Sequence, residues 1–174
     1  MKTYIVILRG INVSGKNSIP MVELRELVTI MGFQNVQTYI QSGNIILNSK
    51  LSKDQVIEKV KNGITSKFGY DVPVLARTIF EWEKAITNNP YPTENHKIVS
   101  FTFLSDVPEE TTIEVNITNS DVYTVINDMV YMYCPDGFGR TKLTNNLFEK
   151  KLKVTATSRN LRTTLKLLEM AKNN

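Results

Sequence analysis

The sequence has very few of the residues that most often catalyse reactions or bind metals. Its 174 residues include one cysteine, Cys134, and one histidine, His96. A single cysteine excludes an internal disulfide framework and favours a reducing compartment. With a single histidine, catalytic pairs of serine or cysteine with histidine, and zinc sites built on histidine, are disfavoured. The sequence therefore predicts no metal site and no cofactor, and it identifies no acid, base or nucleophile that would define an enzyme.

Long apolar segments are also missing. The first apolar run, residues 3–8 (TYIVIL), is shorter than the core of a secretory signal peptide, and no run approaches the ~20 residues of a transmembrane helix. We therefore expect a cytoplasmic protein with no membrane partner.

Charge is mild overall but uneven along the chain. The formal net charge is +4, which is compatible with an anionic partner without requiring one. Residues 93–136 hold eight acids and one base, whereas residues 137–174 hold nine bases and two acids. These segments are interpreted either as two solvated surfaces of opposite charge or as a basic surface for a polyanion.

Apolar periodicity and turn residues divide the first half into a repeated pattern of strands and helices. Pro20 and Gly32 bound a predicted helix, and Ser52 and Gly69 bound another. Predicted strands occupy residues 3–9, 36–40, 45–48 and 72–78, and residues 79–87 are predicted to be helical. This β-α-β-β-α-β order is that of a ferredoxin-like unit.

The second half is predicted to repeat the same order. Its strands are expected at residues 97–104, 122–126, 130–133 and 153–157, and its helices at 108–115, 142–151 and 160–171. The segment Asn88-Asn89-Pro90 interrupts regular structure and marks the boundary. The sequence thus predicts an α+β protein with two ferredoxin-like halves and antiparallel sheets: residues 1–88, and residues 89–174 with an extra terminal helix.

Residues 9–17 (RGINVSGKN) come within one residue of a phosphate-binding P-loop. In a P-loop, Gly-Lys is followed by a serine or threonine that holds magnesium, but here Asn17 follows Lys16. The predicted helix also begins three or four residues too late, and the predicted hairpins do not fit the parallel sheet of such proteins. A nucleotide-hydrolysing P-loop is therefore disfavoured. A general anion site, with backbone N–H groups and a lysine near a helix N-terminus, remains open, as does a tight turn with an exposed lysine.

The predicted topology brings two polar segments to one edge of the first sheet. The first two strands run in the same direction, so residues 9–17 and the hairpin tip at residues 41–44 are expected to be neighbours. Donors without a carboxylate suit the binding of an anion rather than acid–base catalysis. The candidate ligand-binding residues at this edge are Arg9, Gly10, Asn12, Gly15, Lys16, Asn17, Gln41, Ser42 and Asn44.

A second basic edge is expected in the C-terminal half. The loop at residues 135–141 and the segment Ser158-Arg159-Asn160 follow two strands that end at the same side of the predicted sheet. The candidate ligand-binding residues there are Arg140, Lys142, Arg159 and Asn160.

Several motifs together resemble the signature of the bacterial "domain of unknown function 1697" family. The chain departs from the family pattern at Ser14, where glycine is expected, and at Leu161, where tryptophan is common. The resemblance implies a two-part α+β fold with ferredoxin-like halves and no established activity. The motifs that carry the resemblance are RGINVSGKN at 9–17, Pro20-Met21 with Glu23-Leu24, TYIQSGN at 38–44, Asn89-Pro90-Tyr91, Gly139-Arg140-Thr141-Lys142 and ATSRNLRT at 156–163.

Three functions remain open at this point. The first is binding of an anionic small molecule, a nucleotide or phosphorylated metabolite, at residues 9–17 and 41–44. The second is nucleic-acid binding through the basic C-terminal segment, by contacts to the phosphate backbone. Base stacking on the sheet is disfavoured because Tyr4 is the only aromatic residue of the first and third strands. The third is a protein-interaction module in which the motifs only hold the structure together.

Overall fold

A computed structural model describes residues 1–117 and 119–174 of the chain. These residues form two compact units, one made of residues 1–84 with 166–174 and the other of residues 85–165. We refer to them as unit 1 and unit 2. The predicted boundary at residues 88 and 89 lies just inside unit 2.

Unit 1 has the predicted β-α-β-β-α-β order. Its sheet has the strand order β2-β3-β1-β4, and every neighbouring pair is antiparallel. In the pairing of β1 with β3, Ile7 lies opposite Asn44 and Lys2 lies opposite Ser49. The tip of the β2–β3 hairpin therefore lies at the end of the sheet where β1 ends. The elements are β1 (Lys2–Leu8), α1 (Met21–Ile30), β2 (Gln34–Tyr39), β3 (Asn44–Ser49), α2 (Lys53–Phe68), β4 (Val74–Thr78) and α3 (Ile79–Thr87).

The residues from which the sequence predicted the helices of unit 1 stand at the ends of those helices in the structure. Pro20 is the residue before α1, and Ser52 caps α2 through a capping box with Gln55. Gly69 ends α2 in the left-handed conformation, with φ of 75°. Both helices bury one face on the sheet. The core joins Leu24 and Val28 of α1, Val56, Val60 and Ile64 of α2, and alternate residues of β1 (Tyr4, Val6 and Leu8).

Unit 2 contains a second four-stranded antiparallel sheet, with strand order β6-β7-β5-β8. Phe148 and Leu152 of its helix α4 are buried in a separate hydrophobic cluster. The last helix, α5, begins in unit 2, and its residues from Lys166 onward belong to unit 1. The elements are β5 (Val99–Leu104), β6 (Val122–Ile126), β7 (Met129–Tyr133), α4 (Asn145–Leu152), β8 (Ala156–Asn160) and α5 (Leu161–Lys172).

The predicted helix at residues 108–115 is wrong. Residues 105–117 contain neither helix nor strand. The N–H group of Ile113 donates to the Tyr123 hydroxyl at 2.8 Å, and that hydroxyl donates to the Ile113 carbonyl oxygen at 3.0 Å. A side chain ten residues away therefore satisfies backbone groups that a helix would have paired internally. Unit 2 repeats the sheet of unit 1 but not its first helix.

Two further elements of unit 2 begin later than predicted. Thr144 caps α4, because its Oγ1 accepts a hydrogen bond from the Leu147 N–H at 3.2 Å, so the helix starts at Asn145 rather than 142. Lys153 then ends the helix with φ of 60°. Strand β8 is Ala156–Asn160 rather than residues 153–157. Arg159 therefore lies within this strand and not in the segment after it.

Candidate functional site

Residues 12–17 form a small hairpin, which we call the loop hairpin. The Lys16 N–H donates to the Val13 carbonyl oxygen at 3.0 Å, and the Asn12 N–H donates to the Asn17 carbonyl oxygen at 3.1 Å. The two tip residues, Ser14 and Gly15, have φ of 51° and 73°. Positive φ at both central residues is what a type I′ turn requires. Lys16 is thus carried on a defined turn, five residues before α1 begins, and not at a helix N-terminus.

Asn12 fastens the loop hairpin to the tip of the β2–β3 hairpin. Its Nδ2 donates to the carbonyl oxygens of Ile19 and Gln41, each at 2.9 Å. Its Oδ1 accepts the Ile19 N–H at 2.8 Å. The two polar segments are therefore neighbours, as the topology predicted. Because both ends of the Asn12 amide are already bonded, we reassign Asn12 from a ligand contact to a residue that positions the hairpin.

The side chains of Asn17 and Asn44 also donate hydrogen bonds to backbone carbonyl groups at this edge. Asn17 Nδ2 donates to the Gly10 carbonyl oxygen at 3.0 Å. Asn44 is fully buried, and its Nδ2 donates to the Tyr39 carbonyl oxygen and to Ser42 Oγ, both at 3.0 Å. The predicted role of Asn44 in orienting a ligand does not fit a side chain without exposed surface. We reassign Asn44 to support of the β2–β3 turn.

Gly43 allows β1 and the hairpin tip to approach closely. The Leu8 N–H donates to the Gly43 carbonyl oxygen at 2.8 Å. A Cβ atom on Gly43 would lie 2.7 Å from Leu8 Cβ and 2.9 Å from Ile11 Cδ1, and its φ is +78°. Both observations require glycine here. The polar edge is therefore a tightly packed scaffold.

The groups that this scaffold presents to solvent are fewer than the sequence predicted. Ser14, Gly15, Lys16 and the Gln41 side chain are exposed, and Arg9 and Gly10 are half-buried. Within the described residues, Lys16 has no ion-pair partner and the Ser14 and Gly15 N–H groups have no hydrogen-bond acceptor. An ammonium group and two backbone donors without acceptors, on one exposed turn, can bind an anion. No carboxylate is among these groups, so general acid–base chemistry is not supported here.

The loop after β7 and the end of β8 lie at one edge of the unit 2 sheet. Tyr133 of β7 faces Val99, and Asn160 of β8 faces the next residue, Ser100. This is the neighbourhood that the predicted topology required. Arg140 is exposed and lines a cleft of about 640 Å³ with Asn119, Asp136 and Gly139.

Arg159 does not belong to an exposed basic edge, which corrects the prediction. Its side chain is 7% exposed, and Nη1 donates to Thr157 Oγ1 at 2.9 Å and to the Ser158 carbonyl oxygen at 2.8 Å. Burial lowers the pKa of the guanidinium to about 10. The reason is its position within β8, where side chains alternate between faces. Arg159 is therefore a structural residue and not a contact for an incoming polyanion.

The other two residues predicted at this edge also have internal partners. Lys142 is exposed, and its Nζ donates to the Asn116 carbonyl oxygen at 3.1 Å. Asn160 Oδ1 accepts the Thr163 N–H at 2.8 Å, which is the bond of a helix N-cap. Arg140 is the predicted residue of this edge that is best placed to meet a ligand.

Cys134, the single cysteine of the chain, is a core residue. It is fully buried in the unit 2 cluster. Burial first, and the Asp121 carboxylate to a lesser extent, raise the pKa of the thiol to about 11, while the bond to Thr141 acts in the opposite direction. Cys134 is therefore protonated at neutral pH and is not an activated nucleophile.

The described residues contain no group of three or more His, Cys, Asp or Glu side chains placed to hold a metal ion. None of the helices in that part of the chain is long and apolar enough to span a membrane.

The turn at Ser14-Gly15 is one of the two interpretations that the sequence left open for residues 9–17, a tight turn with an exposed lysine. The signal was present, since Ser-Gly is a dipeptide typical of turns. The sequence does not specify the positive φ of the flanking Asn12 and Asn17, which the structure adds.

Comparisons with known proteins add a family and a fold. A family model described as "Protein of unknown function (DUF1697)" matches residues 1–131. Among solved structures, the chain is similar to the conserved bacterial protein SP0830 from Streptococcus pneumoniae, with a TM-score of 0.71 and 23% sequence identity over 98% of each chain. At that identity the likeness shows the fold alone. No curated protein sequence matches the chain.

Proposed function

This chain belongs to the DUF1697 family of proteins of unknown function, and we propose that it binds an anionic small molecule at the loop hairpin in the cytoplasm. The ligand class is a nucleotide or a phosphorylated metabolite. In this proposal Lys16 supplies the charge, the N–H groups of Ser14 and Gly15 donate to the anion, and Arg9 and Gln41 flank it. Asn12, Asn17 and Asn44 hold the scaffold.

One observation carries the proposal. Lys16, which has no ion-pair partner among the described residues, is exposed on the loop hairpin. It stands on a turn that Asn12 fixes by three hydrogen bonds of 2.8 to 2.9 Å. Fixing the donors before binding lowers the entropy cost of holding a ligand. A lysine that served only solubility would not need such a rigid support.

The experiment is a thermal-shift screen with nucleotides, sugar phosphates, polyphosphate, and short RNA and DNA. A ligand at about 100 times its dissociation constant stabilises by about 2.7 kcal/mol. For a chain of this length that raises Tm by about 5–10 °C. Lys16→Ala should weaken binding of the compound found by at least about tenfold, or about 1.4 kcal/mol. The matched control is Lys97→Ala, another exposed loop lysine without an ion pair in the described structure.

Each outcome decides between the functions left open by the sequence. A shift with one compact phosphate compound that is lost in Lys16→Ala, but kept in Lys97→Ala, supports the proposal. A shift only with polynucleotides, with affinity that falls steeply with salt, would replace it with nucleic-acid binding. If no compound shifts Tm, the anion site is refuted, and the motifs act only as structural supports of an interaction module.

A further inference from the structure

A cleft in unit 1 lies at the end of the sheet opposite the loop hairpin. It has a volume of about 340 Å³ and is lined by residues that include Gly32, Phe33, Asn48, Ser49, Lys50 and Lys59. We call it the lysine cleft. Its volume is within the range of small-ligand sites. It combines the end of α1, the open end of the β2–β3 hairpin and one face of α2.

The positive charge of the lysine cleft is not balanced by any carboxylate in its lining. Helix α2 carries four lysines, and three of them form ion pairs: Lys53 with Glu81, Lys61 with Asp71 and Lys67 with Glu23. The fourth, Lys59, has no acidic partner in the described part of the chain, and neither has Lys50. Lys50 and Lys59, both in the lining of the cleft, are therefore available to an anion.

Lys59 is held at the cleft by an aromatic ring. Its Nζ lies 5.3 Å from the centroid of the Phe33 ring, within the range of a cation–π interaction. Phe33 itself is 4% exposed, so the ring provides a fixed support beneath the ammonium group. The charge is thereby placed at the cleft instead of being spread over the positions open to a flexible lysine.

A hydroxyl group adds a neutral donor to the two charges. Ser49 Oγ accepts the Leu51 N–H at 3.1 Å, which leaves its O–H available to donate. Asn48 Oδ1 is occupied by Asn174 Nδ2 at 3.1 Å. Two ammonium groups and a hydroxyl donor, without a carboxylate, match a ligand that carries two negative charges on one compact group.

We propose that the lysine cleft binds a compact dianion, such as a phosphate monoester, through Lys50, Lys59 and Ser49. This site is independent of the loop hairpin. Ser49 pairs with Lys2 at the start of β1, whereas the loop hairpin follows Leu8 at its end. Six residue steps of a strand separate the two edges by about 20 Å.

The test is an amide NMR titration of the isotopically labelled chain with glycerol 3-phosphate, with glycerol and sodium chloride as controls. The resonances of Gly32 and Ser49 report on the lysine cleft, and that of Gly15 reports on the loop hairpin. Gly32 and Ser49 should shift and saturate with glycerol 3-phosphate alone. The variant Lys50→Gln/Lys59→Gln should bind at least about tenfold more weakly. The control Lys61→Gln removes a charge from the same helix but outside the cleft, and should leave the affinity unchanged within about twofold.

Three results would overturn the inference. The first is the absence of shifts at Gly32 and Ser49 at about 10 mM, where even a millimolar site would be mostly occupied. The second is an equal response to sodium chloride at the same ionic strength. The third is an equal loss of affinity in Lys61→Gln and in the double variant, which would indicate general charge attraction. Because Gly15 is observed in the same spectra, failure of this site is distinguishable from failure of the loop hairpin.

Discussion

Replacing Gly43 with alanine tests whether the close approach of β1 to the hairpin tip stabilises the fold. The new Cβ atom would lie 2.7 Å from Leu8 Cβ and 2.9 Å from Ile11 Cδ1. Overpacking of this kind costs about 1–3 kcal/mol. The φ of +78° adds a left-handed penalty of about 1–2 kcal/mol, partly offset by about 0.4–1 kcal/mol from the reduced freedom of the unfolded chain. We expect Gly43→Ala to lower the free energy of unfolding by about 2–4 kcal/mol.

Gly15→Ala is the matched control for this prediction. Gly15 has nearly the same conformation, with φ of +73°, but no atom lies within 4 Å of the position of its missing Cβ. The Gly15→Ala variant should therefore lose only the conformational part of the free energy of unfolding, about 1 kcal/mol. In urea unfolding, the midpoint of Gly43→Ala should fall well below that of Gly15→Ala, and both below that of the unsubstituted protein. Equal losses in the two variants would refute the steric argument.

Two further predictions concern the core of unit 2. Since burial raises the pKa of Cys134 to about 11 from an ordinary value of 9.0, the folded state holds the thiol proton more tightly than the unfolded state. The contribution of Cys134 to the free energy of unfolding should be fully present below about pH 9 and be lost towards pH 11. Urea unfolding at several pH values would detect this decline, and Cys134→Ala should reduce it. A decline that is the same in Cys134→Ala would contradict the prediction. The side-chain oxygens of Asp121 are buried without a hydrogen-bond partner within the described structure. Asp121→Asn should therefore raise the free energy of unfolding by about 1 kcal/mol or more, because a neutral amide costs less to bury than a carboxylate ion. A lower Tm of the variant in thermal unfolding would contradict this prediction.

The overall fold could be predicted from the sequence because its signals are local. The capping residue Ser52 and the terminating Gly69 bound α2, and apolar periodicity identifies its buried face. The family resemblance, which rested on motifs at residues 9–17 and 38–44 among others, is confirmed by the match over residues 1–131. Both kinds of evidence depend on short stretches of chain that can be interpreted without knowing their neighbours.

The segment at residues 108–115 could not be predicted in this way. A proline followed by two glutamates, Pro108-Glu109-Glu110, is typical of a helix start. The competing interaction is the bond pair between Ile113 and the Tyr123 hydroxyl, which exists only once β6 is in place. Tertiary contacts of this kind override weak local preferences.

The sequence predicted that the two polar segments of unit 1 are neighbours, but not which of their side chains are exposed. Antiparallel topology alone places residues 9–17 beside residues 41–44. Which of those side chains face solvent depends on hydrogen bonds that the sequence does not specify, such as those from Asn12 and Asn44 to backbone carbonyl oxygens. The lysine cleft was missed for a related reason. Its residues Phe33 and Lys59 are far apart in sequence and meet only when α2 packs beside the end of α1.

The division of α5 between the units has a consequence for the order in which the chain can fold. Residues 166–174 belong to unit 1, where Lys172 pairs with Glu83 and Asn174 bonds to Asn48. During synthesis, residues 1–84 must wait for all of unit 2 to be made before this last segment reaches them. At about 5–20 residues per second that interval is roughly 4–18 s. The nascent first unit therefore spends seconds without its final helix, and chaperones can act on it in that interval.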